Sequence, residues 1–286
     1  MFSSKKPGEP FYSKKFLDAL LELDLQTSNP KLYPNSLDTL LLKTEEDKLI
    51  PVGNKDYVDY RSISDRKRDI ADILIESDYK GVIIDSIKFD EVQALQESIV
   101  GSNLSVKLLK GDISVLLEIP ETYEEYLSNL SKKNRHELKR KLKKFQREFP
   151  EYEISFGSNE DHLATFIDLH RNSSKEKEEF MTDEVESFFA HLLKIKGWKV
   201  YILWVDKEAV AACFCFENKE ALYLYNSGIN RDFDGFSVGI FLTHYLISKS
   251  ISEKKKIFDF LKGLERYKFD LGGKPEQLYN IELKKV

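Results

Sequence analysis

The sequence predicts an α/β protein with a mixed, mainly antiparallel sheet. In the first half, short apolar runs of strand length alternate with segments whose apolar residues recur at helical spacing. In the second half, three strand-like segments are separated only by short polar turns, a pattern that favours an antiparallel meander. These three segments span residues 199–205, 209–217 and 221–228.

Composition narrows the class of protein further. A chain of 286 residues with 41% hydrophobic residues can bury a core of one large domain or two ordinary ones. The net charge of −5 argues against a general nucleic-acid binder. No stretch approaches the roughly 20 apolar residues of a transmembrane helix, and the charged N-terminus lacks the apolar run of a signal peptide. We therefore expect a cytoplasmic protein.

The character of the sequence changes near residue 120, which predicts domains at 1–119 and 120–286. The first domain is expected to hold helices at 14–25, 64–77 and around Val92, Leu95 and Ile99, with strands at 37–43, 48–52, 82–84, 104–109 and 113–119. Besides the meander, the second is expected to hold helices at 128–149, from 157 to 173, at 183–195 and at 237–252, with strands at 152–156, 256–261 and 278–283.

A strongly basic helix is predicted at 128–149. Thr122 and Glu125 match a capping box just before it. Its apolar residues step by four, three and four along one face, while Lys and Arg fill the others. A solvated face is the first interpretation, contact with a polyanion through Arg135 and Lys139 the second, and binding to a lipid surface the third. The apolar face comprises Leu138, Leu142, Phe145 and Phe149.

The loop after the meander has the composition of a phosphate-binding helix start. Free amides and the positive end of the helix dipole together bind anions there. Gly235 and Gly239 allow close backbone approach, Ser237 is a good N-cap, and Arg231 could reach a phosphate. With the amide of Val238, these residues are our candidate cofactor contacts. Taken alone, the same pattern is more typical of ordinary helix capping.

Acidic, basic and phenolic side chains gather at or just after the strand predicted near residue 258. They are Asp259, Lys262, Glu265, Tyr267 and Lys268. The segment that carries them, FDFLKGLERYKFDLGG, resembles the signature FDFLRGDEpYKyr(w/l)G of the CelD-like branch of the GNAT acyltransferase superfamily. Members of this branch are associated with cellulose and exopolysaccharide gene sets.

Two further segments support the resemblance, which covers residues 115–286 well and the first half loosely. NLSKKNRHELKRKLKKF is similar to the family's basic helix, and LYNSGINRDFDGFSVGIFL to its strand, loop and cofactor helix. In the first half, Val52, Gly53 and Asn54 followed by DYVD resemble an N-terminal family stretch. The resemblance implies a GNAT fold with a V-shaped cofactor cleft, an acetyl-CoA or other acyl-CoA donor, and a degenerate GNAT-like lobe at 1–119.

The sequence departs from the family signature at four positions. Lys262 replaces the usual Arg and loses its bidentate fork, and Leu264 replaces a common Asp. Arg266 stands for Pro or a small residue, and Asp270 stands for a basic one. Losing the acid at position 264 makes Glu265 the better candidate proton acceptor.

The chemistry implied by the resemblance is direct attack of an amine or hydroxyl on a thioester. Glu265 or Asp259 would act as the base, Tyr267 as the acid for the departing thiolate, and a strand amide as the oxyanion donor. Candidate substrate contacts are Arg135, Lys139, Lys262 and Lys268. A salt bridge to one of the two lysines of the signature segment is an equal alternative for Asp259, as is a core position for Tyr267.

The remaining nucleophilic and metal-binding residue types indicate no further chemistry. Cys213 and Cys215 point to the same face of one strand and are expected to be buried thiols. His170 and His244 lie among apolar residues and are expected in the core. No histidine has metal-ligand spacing, and we predict no metal.

Three functions remain open. The first is an acyl-CoA-dependent N- or O-acyltransferase for a small molecule or saccharide. The second is a FemAB-like transferase that takes an aminoacyl group from tRNA, the one case in which we expect a nucleic-acid partner. The third is a non-catalytic binding module, which Leu264 and Asp270 favour. The acyl group, the acceptor and the oligomeric state are not predicted.

Overall fold

A computed structural model describes residues 10–65 and 67–286. The chain divides into two compact units. The first is formed by the described residues up to Ser114 together with Glu276–Val286, and the second by Val115–Pro275. The boundary predicted at 119 falls just inside the second unit, and the C-terminal segment belongs to the first. The charged segment 1–9, for which we predict no signal peptide, lies outside the described residues.

The described chain forms ten α-helices, ten strands and two 3-10 helices, at Pro10–Tyr12 and Arg231–Phe236. The helices are α1 (Lys14–Thr27), α2 (Ile70–Glu76), α3 (Phe89–Ser98), α4 (Tyr123–Asn129), α5 (Lys132–Glu148), α6 (Glu160–Ser173), α7 (Lys175–Phe180), α8 (Asp183–Leu193), α9 (Val238–Ser252) and α10 (Arg266–Asp270). The strands are β1 (Leu42–Glu45), β2 (Lys48–Pro51), β3 (Gly81–Ile87), β4 (Leu104–Glu118), β5 (Tyr152–Gly157), β6 (Trp198–Val205), β7 (Glu208–Glu217), β8 (Ala221–Ile229), β9 (Ile257–Lys262) and β10 (Lys274–Lys285).

The first unit contains strands in the order β1-β2-β3-β10. β1 and β2 form the predicted hairpin, with Glu45 opposite Lys48. β2 pairs with β3 in parallel and β10 pairs with β3 in antiparallel fashion. The apolar stripes of α2 and α3 are buried in the same core as β3, including Leu74, Val92 and Leu95.

Several predicted elements of the first unit are wrong in extent. The strand expected at 37–43 is β1, which begins only at Leu42. The helix expected at 64–77 begins only at Ile70, because Asp69 caps it by accepting from Ala71 N at 2.7 Å, while Asp72 accepts from Asp69 N at 2.9 Å. The strands expected at 104–109 and 113–119 are one continuous strand, β4.

The second unit has strands in the order β9-β8-β7-β6-β5. The predicted meander of β6, β7 and β8 is confirmed as antiparallel, and β5 adds to it in the same sense. β8 and β9 pair in parallel, so the sheet of this unit is mixed and mainly antiparallel, as expected.

The basic helix occupies part of the segment predicted for it. Ser131 caps α5, while Thr122 caps the separate helix α4 by accepting from Glu125 N at 3.1 Å. The Glu125 carboxylate accepts from Glu121 N, so the expected reciprocal capping box is not formed. The apolar face of α5 is buried as predicted, and its Phe145 ring packs 4.0 Å from that of Phe241 on α9.

The parallel strands β8 and β9 separate before either one ends. Their pairing stops at Tyr223 opposite Asp259, whereas the strands continue to Ile229 and Lys262. A register shift in β8 lies immediately beyond the last paired residue, because Phe214 faces Asn226 while Cys215 faces Leu224. Such a bulge bends a strand and ends its regular pairing. The two strands are therefore unpaired beyond this point, which is consistent with the cleft that the family resemblance implies.

Helix α6 lies directly against the diverging part of β8. A Cβ built on Gly228 would collide with the backbone of Leu169 and His170, lying 2.5 Å from the Leu169 carbonyl carbon. A backbone cannot move aside as a flexible side chain can. The absence of a side chain at Gly228 is therefore what allows α6 to approach the strand.

We expect Gly228→Ala to destabilise the protein by about 3 kcal/mol, the upper end of the usual cost of overpacking. Gly235→Ala is the matched control, because nothing lies within 4 Å of the Cβ that it would add. The free energies of unfolding in urea measure both. Equal stability of the two variants would contradict the close approach of α6.

Candidate functional site

A cavity of about 510 Å³ lies within the second unit, beside the part of β8 that has separated from β9. Residues 227–229 of β8 form one wall, and Ala212 and Cys213 of β7 lie behind them. The other walls come from Ser173, Ser174 and Lys177, the start of α9, and Tyr267 of α10. The cavity is large enough for part of an organic cofactor.

The start of α9 offers three unpaired amides to this cavity. The first N–H groups of any helix lack intrahelical acceptors. Those of Val238, Gly239 and Ile240 have no hydrogen-bond acceptor anywhere in residues 10–65 and 67–286, and all three residues line the cavity. Phe241 N is the first to bond within the helix, to Ser237 O at 3.0 Å. Free amides at the positive end of a 15-residue helix are suited to binding an anion.

The residue before α9 sets the direction of these amides. Ser237 has φ +57° and ψ +40°, a left-handed conformation that turns the chain from the preceding 3-10 helix into α9. Its hydroxyl makes no capping hydrogen bond, so the side-chain capping expected of Ser237 is wrong, although its position at the helix start is right.

Four of the five predicted cofactor contacts line the cavity. They are Arg231, Ser237, Val238 and Gly239. Gly235 is not among the lining residues, and its carbonyl instead accepts from Lys144 Nζ at 2.7 Å. Arg231 is held at the cavity edge by Ser173 O, to which its Nε donates at 2.5 Å, and by Asp234, 3.2 Å from its Nη1.

The signature segment after β9 forms a tight turn around a buried lysine. Leu261 is buried with φ +60°, unusual for a bulky residue, and its amide donates to Asp259 Oδ1 at 2.8 Å. The Lys268 ammonium, 3% exposed, donates to the carbonyls of Leu261, Lys262 and Gly263. Its charge is balanced by Glu265 Oε2 at 3.0 Å.

These contacts show where four of the predicted site residues lie. Asp259 holds the turn rather than meeting an acceptor, and Lys268 is enclosed by carbonyls rather than open to a substrate. Glu265 is 58% exposed and does not line the cavity. Lys262 contributes its carbonyl to the turn. Burying charge without a partner is costly, so a lysine held by several acceptors is a device for fixing the backbone.

Tyr267 is the member of the predicted catalytic set that reaches the cavity. Burial raises the pKa of its phenol well above the usual range, and the nearby Glu265 raises it further. The phenol is therefore protonated at neutral pH and can donate a hydrogen bond.

Lys177 was not among the predicted site residues, because the short helix α7 that carries it was not predicted. Its side chain lines the cavity, and its Nζ donates to the carbonyl of Ser227. No carboxylate of the described residues lies within ion-pair distance of it. Burial lowers the pKa of Lys177, and the Cys213 thiol and Glu265 oppose that change. A lysine three residues after a serine N-cap was the available signal, but many surface helices share it.

The basic helix does not direct its predicted contacts into the cavity. Arg135 donates to Leu127 O at 3.3 Å, and Lys139 is exposed. Lys144 instead reaches the loop before α9, bonding Gly235 O and lying 5.0 Å above the Phe236 ring. Lys144 thus anchors α5 to the loop before α9, whereas six other cations of the helix are exposed: Lys132, Lys133, Lys139, Arg140, Lys143 and Arg147.

The cysteines and the two apolar-face histidines lie as predicted. Cys213 and Cys215 are free and buried, and burial raises the pKa of the Cys213 thiol to about 12. His170 is buried, and burial lowers its pKa to about 4. His244, whose pKa burial also lowers to about 4, lies 2.8 Å from the Tyr123 hydroxyl. Among the described residues, no group of three His, Cys, Asp or Glu side chains could hold a metal ion.

Residues 132–269 match the family model of the acetyltransferase (GNAT) domain. The match runs from the start of α5 through β9 to α10, and therefore contains the cavity and the signature turn. Together with the mixed sheet it confirms the expected GNAT fold and supports the GNAT superfamily for this part of the chain. It does not separate the CelD-like branch from others.

Several solved structures have a similar fold, and the similarity covers nearly the whole chain. FemX is 11% identical with a TM-score of 0.63, covering 95% of this chain and 92% of its own. A conserved protein of unknown function from Bacteroides thetaiotaomicron is 14% identical, with a TM-score of 0.62 and coverages of 96% and 94%. The C-terminal DUF2156 domain of a candidate lysylphosphatidylglycerol synthetase from Agrobacterium fabrum is 10% identical, with a TM-score of 0.58 and coverages of 94% and 90%.

No curated protein matches the chain significantly. In the described residues, every helix is too short or too polar to cross a bilayer.

The structural position of Lys268 predicts the effect of removing its charge. We expect Lys268→Met to destabilise the protein by about 3 kcal/mol, because three carbonyls lose their donor at once. Arg266→Met, on the same helix but largely exposed in a 3.5 Å pair with Asp270, should change stability by less than about 0.5 kcal/mol. Chemical denaturation of both variants measures the difference. A stable Lys268→Met protein with weakened acceptor binding would restore the substrate role predicted from the sequence.

Proposed function

We propose that this protein transfers an acyl group from acyl-CoA, acetyl-CoA being the simplest donor, to an amine or hydroxyl of a small molecule or saccharide. The observation that carries the proposal is the set of three unpaired amides opening α9 on the wall of a 510 Å³ cavity. The match of residues 132–269 to a GNAT acetyltransferase domain supports it.

The donor would be held at both ends of the cavity. Its diphosphate suits the amides of Val238, Gly239 and Ile240, where the helix dipole favours negative charge, with the Arg231 guanidinium beside them. The acyl end would extend along the separated edge of β8 toward Tyr267. Holding donor and acceptor together in this way supplies much of the rate of such transfers.

Proton transfers would fall to two side chains near the signature turn. Tyr267, which lines the cavity, is our candidate acid for the departing thiolate. Glu265 remains our candidate base. In that role it would exchange its ion pair with Lys268 for a hydrogen bond to the acceptor.

Sequence features support our proposals for the family branch, the acceptor, the cellular location and the fold of the first half. The three ordered segments that resemble the CelD-like branch support membership of that branch and a saccharide or amino-sugar acceptor. A cytoplasmic location, where acyl-CoA is made and thiols stay reduced, fits the two free cysteines. The loose resemblance of the first half supports a degenerate GNAT-like lobe there.

Donor binding tests the proposal directly. A ligand that binds only the folded state raises the melting temperature, by an amount that grows with ligand concentration. We expect CoA, acetyl-CoA and longer acyl-CoAs to do so, with dissociation constants then measured by calorimetry. If none of them binds, the donor assignment is wrong.

A pair of variants at one residue tests where the diphosphate binds. Gly239→Asp should lower the affinity for CoA by about 100-fold, because it sets a carboxylate against the diphosphate. Gly239→Ala is the control for the added Cβ, which would meet only Ile229 Cγ2 at 3.1 Å, and should bind CoA nearly as well as the wild type. An acid in the first turn also favours the helix, so loss of folding is not expected. Unchanged CoA affinity in Gly239→Asp would place the diphosphate elsewhere.

A second candidate function is aminoacyl transfer from tRNA. Helix α5 carries nine Lys and Arg residues and is anchored by Lys144 to the loop at the cavity mouth. A basic surface beside the donor site suits a polyanion, and the similarity in fold to FemX directs attention to it.

Binding measurements with aminoacyl-tRNA and with CoA distinguish the two functions. If tRNA is the donor, aminoacyl-tRNA should bind with strong salt dependence, and replacing Lys132, Lys139 and Lys143 by Ser should weaken that binding. The same triple variant should bind CoA as the wild type does if acyl-CoA is the donor. Tight tRNA binding without CoA binding would favour the second function.

A further inference from the structure

The edge of β8 that faces the cavity has a definite set of hydrogen-bonding groups. Asn230 N bonds Val210 O at 2.9 Å, so alternate residues of β8 bond to β7. In an antiparallel ladder the residues between them turn their N–H and C=O groups the other way. Cys213 pairs with Ser227 and Ala211 with Ile229, so Ser227 and Ile229 are these intervening residues. Their amides are therefore the strand amides that could donate a hydrogen bond to an acyl carbonyl in the cavity.

Both of these strand amides are already occupied by side chains. Ser227 N donates to Asn226 Oδ1 at 2.8 Å. Ile229 N donates to Ser173 Oγ at 2.8 Å, and this hydroxyl is itself fixed by donating to Leu169 O at 2.6 Å. The strand amide that sequence reasoning expects as oxyanion donor is thus satisfied by the protein. The amides of α9, in contrast, are open.

Lys177 lies at the same point of the strand. Its ammonium donates to the carbonyl of Ser227, the acceptor at this part of the free edge. An ammonium has three N–H donors, and the remaining two have no acceptor in the part of the chain that the structure describes. The side chain lines the cavity, beside Cys213 and Ser227. The ammonium of Lys177 therefore has free N–H donors at the part of the strand where the backbone amides are already hydrogen-bonded to side chains.

We propose that Lys177 is the oxyanion donor of the acyl transfer, in place of a strand amide. The inference rests on the proposed function. The acceptor's lone pair forms a bond to the thioester carbon, and the C=O π pair moves onto oxygen, which Lys177 stabilises as O⁻. The electron pair on oxygen then re-forms the C=O bond, the C–S bond breaks, and the departing thiolate takes a proton. The acceptor's own proton goes to the base.

An anionic analogue of the donor tests this role without knowledge of the acceptor. S-carboxymethyl-CoA places a carboxylate where the reacting oxygen would develop charge, whereas S-carbamoylmethyl-CoA has the same shape and no charge. We expect the wild type to bind the carboxymethyl compound at least 10-fold more tightly by calorimetry. In Lys177→Met the preference should disappear, while unchanged binding of the carbamoyl compound shows that the variant is folded.

Lys175→Met is the matched control. Lys175 lies on the same helix and pairs with Glu179 at the exposed surface, so its loss should leave the preference unchanged. The wild-type preference should also fall as the pH rises through the lowered pKa of Lys177 and its charge is lost. In Lys177→Arg the preference should persist at that pH, because guanidinium stays protonated.

The outcomes separate this inference from the proposed function. If both analogues bind the wild type equally, Lys177 is not the oxyanion donor, although CoA remains the donor. If Lys177→Met keeps the preference, another group holds the charge. If neither analogue binds, the acyl-CoA function is wrong and the role of Lys177 falls with it.

Discussion

The site depends on the loss of pairing between β8 and β9 beyond Tyr223 and Asp259. Two parallel strands that stay paired satisfy each other's backbone groups and leave no space between them. Once they diverge, the exposed edge of β8 needs other partners, because a buried backbone group without one is costly. The cavity, and the side chains that serve its edge, both follow from that divergence.

The protein satisfies this edge with the end of α6 and the start of α7. Gly228 lets α6 lie against the strand, which brings Ser173 to the Ile229 amide and Lys177 to the Ser227 carbonyl. One consequence is mechanical, since the diverging strand is fixed. The other is chemical, since a cation faces the space where an acyl carbonyl would lie under the proposed function.

The fold was predictable because it follows from periodic patterns. Alternation with short polar turns predicts the meander, and the stripe from Leu138 to Phe149 predicts the buried face of α5. The extent of α2 was missed because Asp69, five residues inside the predicted helix, is a stronger start signal than the preceding polar run. The division between α4 and α5 was missed because Ser131 is one of several cap candidates in the same segment.

The chemistry of the site was less predictable, for a physical reason. Spacing shows which side chains lie near a strand end but not which carbonyl or amide each one meets. Asp259, Glu265 and Lys268 were grouped correctly in space, yet their contacts hold a turn with Leu261 at positive φ. Lys177 lies far from the signature in sequence and reaches the cavity only through tertiary packing.

Under the proposed function, the open amides of α9 hold the diphosphate of the donor. Amide nitrogen and proton chemical shifts of Val238, Gly239 and Ile240, followed while CoA is titrated, test this most directly. The account predicts large shifts at these three amides that saturate together, reproduced more weakly by inorganic pyrophosphate. CoA binding that leaves all three amides unshifted would contradict it.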